Sequence, residues 1–432
     1  MKRFLICLLL LWAGEAASQE APQLTLIRCY ELARAHYPLI RQYDLIAQTE
    51  SYNVANAGKA WLPQLALNAR ATYQSDVTTL PFDAGRLSAL IPGFDIPTVS
   101  KDQYQVTAEI TQTLWDGGHI RSAQTLAHAQ AETERKQLES ELYALRERIN
   151  QVFFGCLLQD ELLRQNTLLQ KELEVNAGRI AAMMDQGMAN ESDRDALEVE
   201  RLKAHRQAIE LQAGRKAYLA VLSALTGQEI GETASLIVPS MPGEALKTGI
   251  NRPEMEAFAA LKDRIGVQRR QLTAQLMPRI GLFVQGGYGR PGLNMLADSF
   301  EPFYVAGLRL SWNFGQFYTL ANDRRKIETS LRSVDVQREA FLFNTTLRIV
   351  RRDTDIDMMY RLLDTDSEIL RLRTSIRQAA EVKLEGGVIA VADLIREINA
   401  EDLARQTSST HRIQLLTAIY DLSYLTAGNI LP

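Results

Sequence analysis

The sequence predicts a mainly α-helical protein with a small β part, built from a helix–strand–strand–helix unit that occurs twice. Three observations support this fold class. Short landmarks recur in the same order in both halves of the 432-residue chain. Four segments alternate apolar and polar residues, as strands do. Two long runs, at about 118–184 and 318–384, contain no proline and are rich in charged residues, leucine and alanine.

The duplication is clearest in paired landmarks. Leu225 and Leu425 each precede a threonine and lie 200 residues apart, and Gly187 and Gly387 repeat that offset. Each glycine is followed six residues later by an aspartate, and LPQLAL and QTLWDGG are echoed by MPRIGL and LSWNFG. Such self-similarity indicates two copies of one structural unit. We predict a first repeat over 19–230, a linker over 231–249 and a second repeat over 250–432.

Each repeat supplies two predicted strands. They lie at about 62–76, 102–115, 277–289 and 302–313. In the first, Leu65 and Leu67 alternate with the polar residues Asn68, Arg70, Thr72 and Gln74. Strands of about ten residues match tilted transmembrane β-strands, although a soluble sandwich would show the same alternation. The first strand pair is separated by extra residues around 75–102, which we expect to form an exposed loop.

The proline-free runs predict helices on the order of 100 Å long. Apolar residues within them follow the 4, 3 spacing of a coiled-coil seam. These residues are Leu138, Leu142, Leu145, Ile149, Val152 and Cys156 in the first run, and Ile369, Leu372, Ile376 and Ala379 in the second. Shorter helices are predicted at about 24–58, 189–226, 252–275 and 390–427. Helices with such narrow stripes must pack side by side, within the chain or between chains.

The strands lead to the same requirement. Four strands cannot close a membrane barrel, because the smallest known use eight, and an open sheet cannot expose its edges to lipid. If the strands lie in a membrane, the chain must therefore oligomerise.

The N-terminus predicts export. Lys2 and Arg3 precede an apolar run that is too short to span a bilayer, and small residues follow up to Ser18, so we predict a signal peptide over 1–18. A buried N-terminal helix is the alternative. Cys29 and Cys156 would remain after cleavage and are too few for a disulfide framework. No later stretch predicts a transmembrane helix, and the net charge of −4 argues against nucleic-acid binding.

No motif indicates catalysis. The sequence contains no GxSxG elbow, HExxH or paired CxxC, and its five histidines lack ligand spacing. The glycine-rich stretch QGGYGRPG, at 285–292, ends a strand and opens a hairpin loop rather than a helix, so we predict a surface turn and not a nucleotide-binding loop. We expect no enzyme activity, no cofactor and no metal site.

Taken together, the ordered landmarks resemble those of the TolC-like outer-membrane efflux proteins. The resemblance rests on the duplicated proline-strand entries, the tryptophan–glycine exits, the glycine–aspartate hairpins and the LTGQ and LTAG segments. It implies a homotrimer whose twelve strands form one outer-membrane barrel, continued by a long periplasmic helical barrel. A periplasmic adaptor (membrane fusion) protein, an inner-membrane pump and outer-membrane lipid are the implied partners. The implied function is a passive exit duct of a tripartite efflux or secretion system in a Gram-negative bacterium.

The resemblance also assigns sites. The hairpins at 185–193 and 385–393 would form the periplasmic tip. Adaptor contact is implied for Gly187, Met188, Ala189, Gly387, Val388 and Ile389. Asp193 and Asp393 would form an acidic ring at the aperture, and Asn68, Arg70, Thr72 and Gln74 would line the barrel lumen.

Departures and alternatives accompany these assignments. Arg396 occupies the position of a second ring aspartate, and Leu384 and Ile389 occupy the positions of a polar latch. The two aspartates could instead be solvated acids or charges that stabilise helix N-termini. Three methionines near the tip, Met183, Met184 and Met188, could guide soft metal ions or simply fill the core. The alternative for the whole chain is a soluble periplasmic coiled-coil scaffold or adaptor with a small β-domain.

Overall fold

The computed structural model describes residues 23–78, 99–240 and 249–427. The predicted signal peptide lies outside the described residues, as do most of the predicted loop at 75–102 and part of the linker. The chain divides into two compact units. The first is formed by Met1–Gln42, Gln137–Met255 and Arg338–Pro432, and the second by Tyr43–Lys136 and Glu256–Gln337.

Helices dominate the described chain. In order, the elements are β1 Gln23–Leu24, α1 Leu26–His36, α2 Gln42–Gly58, β2 Gln64–Tyr73, β3 Asp102–Trp115, α3 His119–Tyr143, α4 Leu145–Asp185, α5 Glu191–Thr226, β4 Ser235–Leu236, α6 Pro253–Gln275, β5 Arg279–Arg290, β6 Glu301–Ser311, α7 Gln316–Glu385 and α8 Val391–Thr426. The order helix–strand–strand–helix occurs twice, around β2–β3 and around β5–β6. The predicted fold class is confirmed, while the exact limits of the repeats stay a prediction.

The helices differ from the prediction in two places. The first long run is interrupted at Ala144, where the backbone keeps helical angles (φ −62°, ψ −19°) but the hydrogen-bonded pattern restarts. The second is one helix of 70 residues. The helix predicted at 24–58 is broken by Pro38, which begins a 3₁₀ turn because it has no N–H to donate. Within the predicted linker, β4 pairs in parallel with β1.

The second unit contains a four-stranded antiparallel sheet in the order β2-β3-β5-β6. Its register aligns Asn68 with Thr107, and Leu282 with Leu308. A bulge near the end of β3 places Trp115 opposite Ile280. In the described chain β2 and β6 are edge strands, so one side of each backbone is unpaired.

One face of this sheet is apolar and solvent-exposed in the single chain. Leu67 is 75% exposed and Tyr304 is 78% exposed. Large apolar side chains this accessible are unusual when they share one continuous face. The face therefore requires a partner or an apolar solvent.

The first unit holds the helical core. The predicted seam on α3 and α4 is buried at Leu138, Leu145 and Ile149. The second predicted seam, on α7, stays exposed in the single chain at Ile369, Leu372 and Ile376. Cys29 and Cys156 are free, buried thiols, as expected for small core residues. Burial raises the pKa of each thiol to about 12.

Candidate channel surfaces and helical tip

The two predicted hairpins have the same backbone geometry. In the first, Gly187 has a φ of +74°, its N–H donates to Met184 O at 2.9 Å, and Met188 N donates to Met183 O at 2.8 Å. The second hairpin repeats both bonds at the same lengths around Gly387, whose φ is +68°. This is the left-handed C-cap that glycine adopts without strain. The local sequence therefore fixes each turn.

The residues that follow each turn glycine face in different directions. Met188 is 53% exposed and Val388 is 72% exposed, so both project away from the helices. Ala189 and Ile389 instead pack against the apolar core between the hairpins. Of the six predicted adaptor-contact residues, the glycines and the residue after each one are the accessible ones.

Asp193 and Asp393 each accept a backbone hydrogen bond at the N-terminus of a helix. The Asp193 carboxylate accepts from Asn190 N at 3.0 Å, and Asn190 Oδ1 accepts from Asp193 N at 3.1 Å. The Asp393 carboxylate accepts from Ala390 N at 3.2 Å. It also lies 3.2 Å from the Arg396 guanidinium, in an exposed pair that contributes little to stability. Both aspartates therefore stabilise helix N-termini, which was one of the two interpretations. Their role at the aperture stays a prediction.

Apolar residues occupy the positions predicted for a polar latch, and their neighbours are apolar too. Leu384 is buried in a cluster formed by residues of both hairpins, and Ile389 packs against that cluster. Met183 and Met184 pack there too, which matches core filling. The tip of this chain is therefore held together by apolar packing at the positions where a polar latch would lie.

The predicted lumen residues share one face of the sheet. The strand register places Asn68, Arg70 and Thr72 beside polar residues of β3, namely Thr107, Gln105 and Gln103. Gln74 lies just beyond β2, and its Nε2 donates to Gln103 Oε1 at 2.9 Å. This half of the face is polar, as the alternation predicts.

The β5–β6 half of the same face is different. Phe303 covers Gly287, where a Cβ would lie 2.4 Å from the ring, and Phe283 covers Gly307 at 3.2 Å. The glycine-rich stretch belongs to β5 as far as Arg290, so the predicted surface turn is confined to the residues that follow. The glycines provide room for aromatic rings on the neighbouring strand and do not form a turn. Only the pairing register of β5 with β6 shows which ring covers which glycine, because each ring lies on the neighbouring strand.

Aromatic side chains gather at both ends of the sheet. At one end Phe300 stacks on Tyr104 and Tyr288, with centroids 6.4 Å and 5.7 Å apart. At the other, Trp312 contacts Phe314 at 4.6 Å. The ten residues of β2 span roughly 30 Å. Membrane-spanning sheets have an apolar band of about 25 Å between two aromatic girdles, so the sheet has suitable dimensions.

Among the described residues, no helix is apolar enough over a sufficient length to cross a membrane. No group of three or more His, Cys, Asp or Glu side chains in that part of the chain could hold a metal ion. His128 and His411 each contact a carboxylate, of Glu50 and Asp366 respectively, at 2.6 Å.

Comparison with known proteins finds a family match over part of the chain. Residues 29–228 match the model described as outer membrane efflux protein, which covers α1 to α5 with β2, β3 and the first hairpin. These residues belong to the outer membrane efflux protein family. The resemblance seen in the sequence is thereby confirmed. No curated protein sequence matches the chain.

Solved structures share the fold of the efflux protein along nearly its whole length. VceC from Vibrio cholerae aligns with a TM-score of 0.65 at 14% identity, covering 94% of this chain and 97% of that one. MtrE from Neisseria gonorrhoeae, in its open state, gives 0.63 at 16%, covering 94% and 89%. CmeC from Campylobacter jejuni gives 0.62 at 12%, covering 93% and 85%.

The family match and the shared fold support an outer-membrane exit duct with a large periplasmic helical part. Both are those of channels and not of enzymes. The alternative, a soluble periplasmic scaffold, is not favoured.

The efflux protein also contains a buried charge cluster that the sequence did not reveal. Arg377 Nε lies 3.0 Å from Glu172 Oε1, its Nη1 donates to Glu381 at 2.7 Å, and it donates to Glu401 as well. Arg405 pairs with Glu401 and lies 3.7 Å from Glu172. The cluster links α4 to α7 and α8. The sequence does not predict this cluster, because its members come from three different helices.

Burial and ion pairing have opposite effects on the pKa values of the glutamates in this cluster. Burial raises the pKa of Glu172. Burial would also raise the pKa of Glu401, but the Thr374 hydroxyl, which donates to it at 2.7 Å, and the Arg377 guanidinium hold that pKa below its ordinary value. The Glu401 carboxylate is therefore ionised and depends on its partners.

A second carboxylate joins α4 to α8. Glu161 accepts from Arg164 at 2.6 Å, from Gln165 at 2.9 Å and from the Ser409 hydroxyl at 2.9 Å. Burial would raise the pKa of Glu161, but these donors outweigh it and lower the pKa to about 2. Arg164 and Gln165 lie on α4 beside Glu161, and of these donors Ser409 alone links the ionised form to α8.

Proposed function

We propose that three copies of this chain form the outer-membrane duct of a tripartite efflux or secretion system. The proposal rests on the four-stranded sheet, which among the described residues has two unpaired edges and one exposed apolar face. In lipid each unpaired backbone group costs several kcal/mol, so β6 of one copy must pair with β2 of the next. Three copies close a barrel of twelve strands, an even number within the known range.

The two faces of the sheet then meet different solvents. Leu67, Tyr304 and the rest of the exposed apolar face contact lipid. Asn68, Arg70, Thr72 and Gln74 line the water-filled lumen, together with the Phe283 and Phe303 rings that lie over glycines. Because both rings lie against the wall, they leave the lumen wide.

The helical part assembles in the same way. The exposed stripe of α7, at Ile369, Leu372 and Ile376, packs against neighbouring copies and completes the periplasmic helical barrel. A periplasmic adaptor protein contacts the tip at Gly187, Met188, Gly387 and Val388. Ala189 and Ile389 support these residues from within the apolar cluster. An inner-membrane pump delivers the cargo, which passes through the duct without chemical change.

Asp193 and Asp393 form an acidic ring at the aperture. Threefold symmetry brings like charges together, which favours cations at the constriction. Arg396 offsets part of the charge of Asp393, so Asp193 carries the larger share of cation preference. Both aspartates also hold their helices, and the two roles are compatible.

Single-channel recording in planar bilayers tests the proposal. The purified protein should have the mass of three copies and conduct. Asp193→Ala with Asp393→Ala should raise conductance or lower cation preference, whereas Asp195→Ala, which removes an exposed acid paired with Arg194, should change neither. Unchanged current and selectivity would refute the ring. A signal-processed monomer in the soluble periplasmic fraction would refute the duct.

A further inference from the structure

A cationic cavity lies where the helices of the second unit meet the sheet. It is an open cavity of about 480 Å³, lined by the turn after β3, the start of α3 and the end of α6. Arg121 and Arg270 line it together with Ser122, and Val267, Ala274 and Met277 supply an apolar wall. No acidic side chain is among its described lining residues, so the cavity carries two positive charges.

The two arginines differ from two lysines on the same helices, which are paired with carboxylates. On the same two helices, Lys136 pairs with Glu256 at 2.6 Å, and Lys262 pairs with Asp335 at 2.9 Å. Within the described chain neither Arg121 nor Arg270 has a carboxylate within ion-pair distance. Their charges are therefore available to a ligand.

The nearest acid in the sequence is not available to neutralise them. The Asp116 carboxylate is buried and accepts from the backbone N–H groups of Gly118 at 2.9 Å and Ile120 at 2.5 Å. It is therefore occupied by the N-terminus of α3. Ser122 contributes a further polar group, since it is only 8% exposed and its Oγ has no hydrogen-bond partner among the described residues.

The position of the cavity indicates the source of the ligand. Trp115 and Ile280 mark the end of the sheet next to it. Arg121 lies in the first turn of α3, which follows β3, and Arg270 lies in the last two turns of α6, which precedes β5. If the sheet spans the membrane, both arginines lie on the headgroup side of its end. A long arginine side chain there reaches the interface with its charged group.

We infer that this cavity binds the phosphate group of a membrane phospholipid. Guanidinium groups bind phosphate oxygens bidentately, and the Ser122 hydroxyl can donate a further hydrogen bond. The apolar wall fits the glycerol and the first acyl carbons. The inference rests on the proposed placement of the sheet in the outer membrane, and it adds a specific lipid site to it.

Native mass spectrometry of the delipidated full-length protein in detergent tests the site with dioleoylphosphatidylglycerol. Arg121→Gln with Arg270→Gln should weaken lipid retention at least about tenfold, because charge-assisted hydrogen bonds are lost. The matched control is Arg269→Gln, an exposed neighbour on α6 that does not line the cavity, and it should retain the lipid. The double lysine variant, which keeps charge without the planar fork, should be intermediate.

Three results would overturn the inference. The first is wild-type lipid retention by the double glutamine variant with unchanged helical circular dichroism. The second is equally tight retention of dioleoylglycerol, which lacks the phosphate. The third is binding of millimolar inorganic phosphate without binding of the phospholipid, which would make the ligand a free anion. A wild-type protein that fails to insert into liposomes would refute the membrane placement itself, and insertion with unaffected lipid retention would refute only the site.

Discussion

Removing Arg377 should loosen the helices that carry the tip. The Arg377 side chain is 13% exposed and the Glu401 side chain that it contacts is 1% exposed. Arg377→Met keeps an apolar stem of similar length but removes one of the two guanidinium partners of a buried carboxylate, which keeps Arg405 and Thr374. Breaking a buried pair completely costs about 3–5 kcal/mol. With the other partners left in place, the free energy of unfolding of this part of α8 should fall by about 3 kcal/mol, the lower end of that range.

Hydrogen exchange measured by mass spectrometry reports this loss locally. A loss of about 3 kcal/mol corresponds to exchange faster by a factor of roughly 150 in the α8 amides around Glu401. Arg371→Met is the matched control on the same helix. Its pair with Glu368 is exposed on both sides, at 65% and 56%, so it should change exchange by less than about fivefold.

Two further results bear on the same cluster. Adding Glu401→Gln to the Arg377 variant should restore part of the protection, because the buried charge that lost a partner is removed. Arg377 is one of the groups that hold the pKa of Glu401 below its ordinary value, so the defect should be largest at neutral pH, where the carboxylate is ionised, and shrink in acid. Exchange within fivefold of wild type in Arg377→Met would refute the stabilising role of the cluster.

Three more predictions concern stability and reactivity in the helical unit. Glu161→Gln should cost about 2 kcal/mol at neutral pH. The contribution of this carboxylate is present above about pH 4.5 and lost as the pH falls towards 2, because its folded pKa is depressed to about 2. Thermal melts followed at 222 nm would contradict this if wild type and variant differ equally at pH 7 and pH 3. Gly187→Ala should destabilise by about 1 kcal/mol because of its positive φ. Gly178→Ala, inside α4 with open space around its Cβ position, should stabilise by a similar amount. If both substitutions change the free energy of unfolding in the same direction, the backbone conformation assigned to Gly187 would be wrong. Cys29 and Cys156 should resist thiol reagents at pH 8 until the protein unfolds, and rapid labelling of the folded protein would disprove their burial.

Features fixed by local sequence were predictable. The turns at Gly187 and Gly387 follow from a helix that ends in a glycine, and the strands follow from strict alternation over about ten residues. The paired landmarks in the two repeats strengthened both predictions, because each feature was seen twice. The fold class and the general position of the tip could therefore be read before any coordinates.

Features that depend on register or helix rotation were not predictable. Gly287 lies near the end of a predicted strand, and only its position opposite Phe303 explains the missing side chain. Arg377 appears to be an ordinary surface charge until α4, α7 and α8 bring three carboxylates around it. The cationic cavity likewise depends on Arg121 and Arg270, which are far apart in the sequence and meet only because β3 pairs with β5.

Placement of the sheet in lipid is the central claim, and spin labels introduced one at a time along β2 test it most directly. The buried Cys29 and Cys156 should stay unlabelled in the folded protein. In liposomes, labels at Leu65, Leu67 and Ala69 should collide with dissolved oxygen and be shielded from a water-soluble nickel complex. Labels at Asn68, Arg70 and Thr72 should show the opposite accessibility. Equal access of the nickel complex to both sets would contradict a membrane-spanning strand with a water-filled lumen behind it.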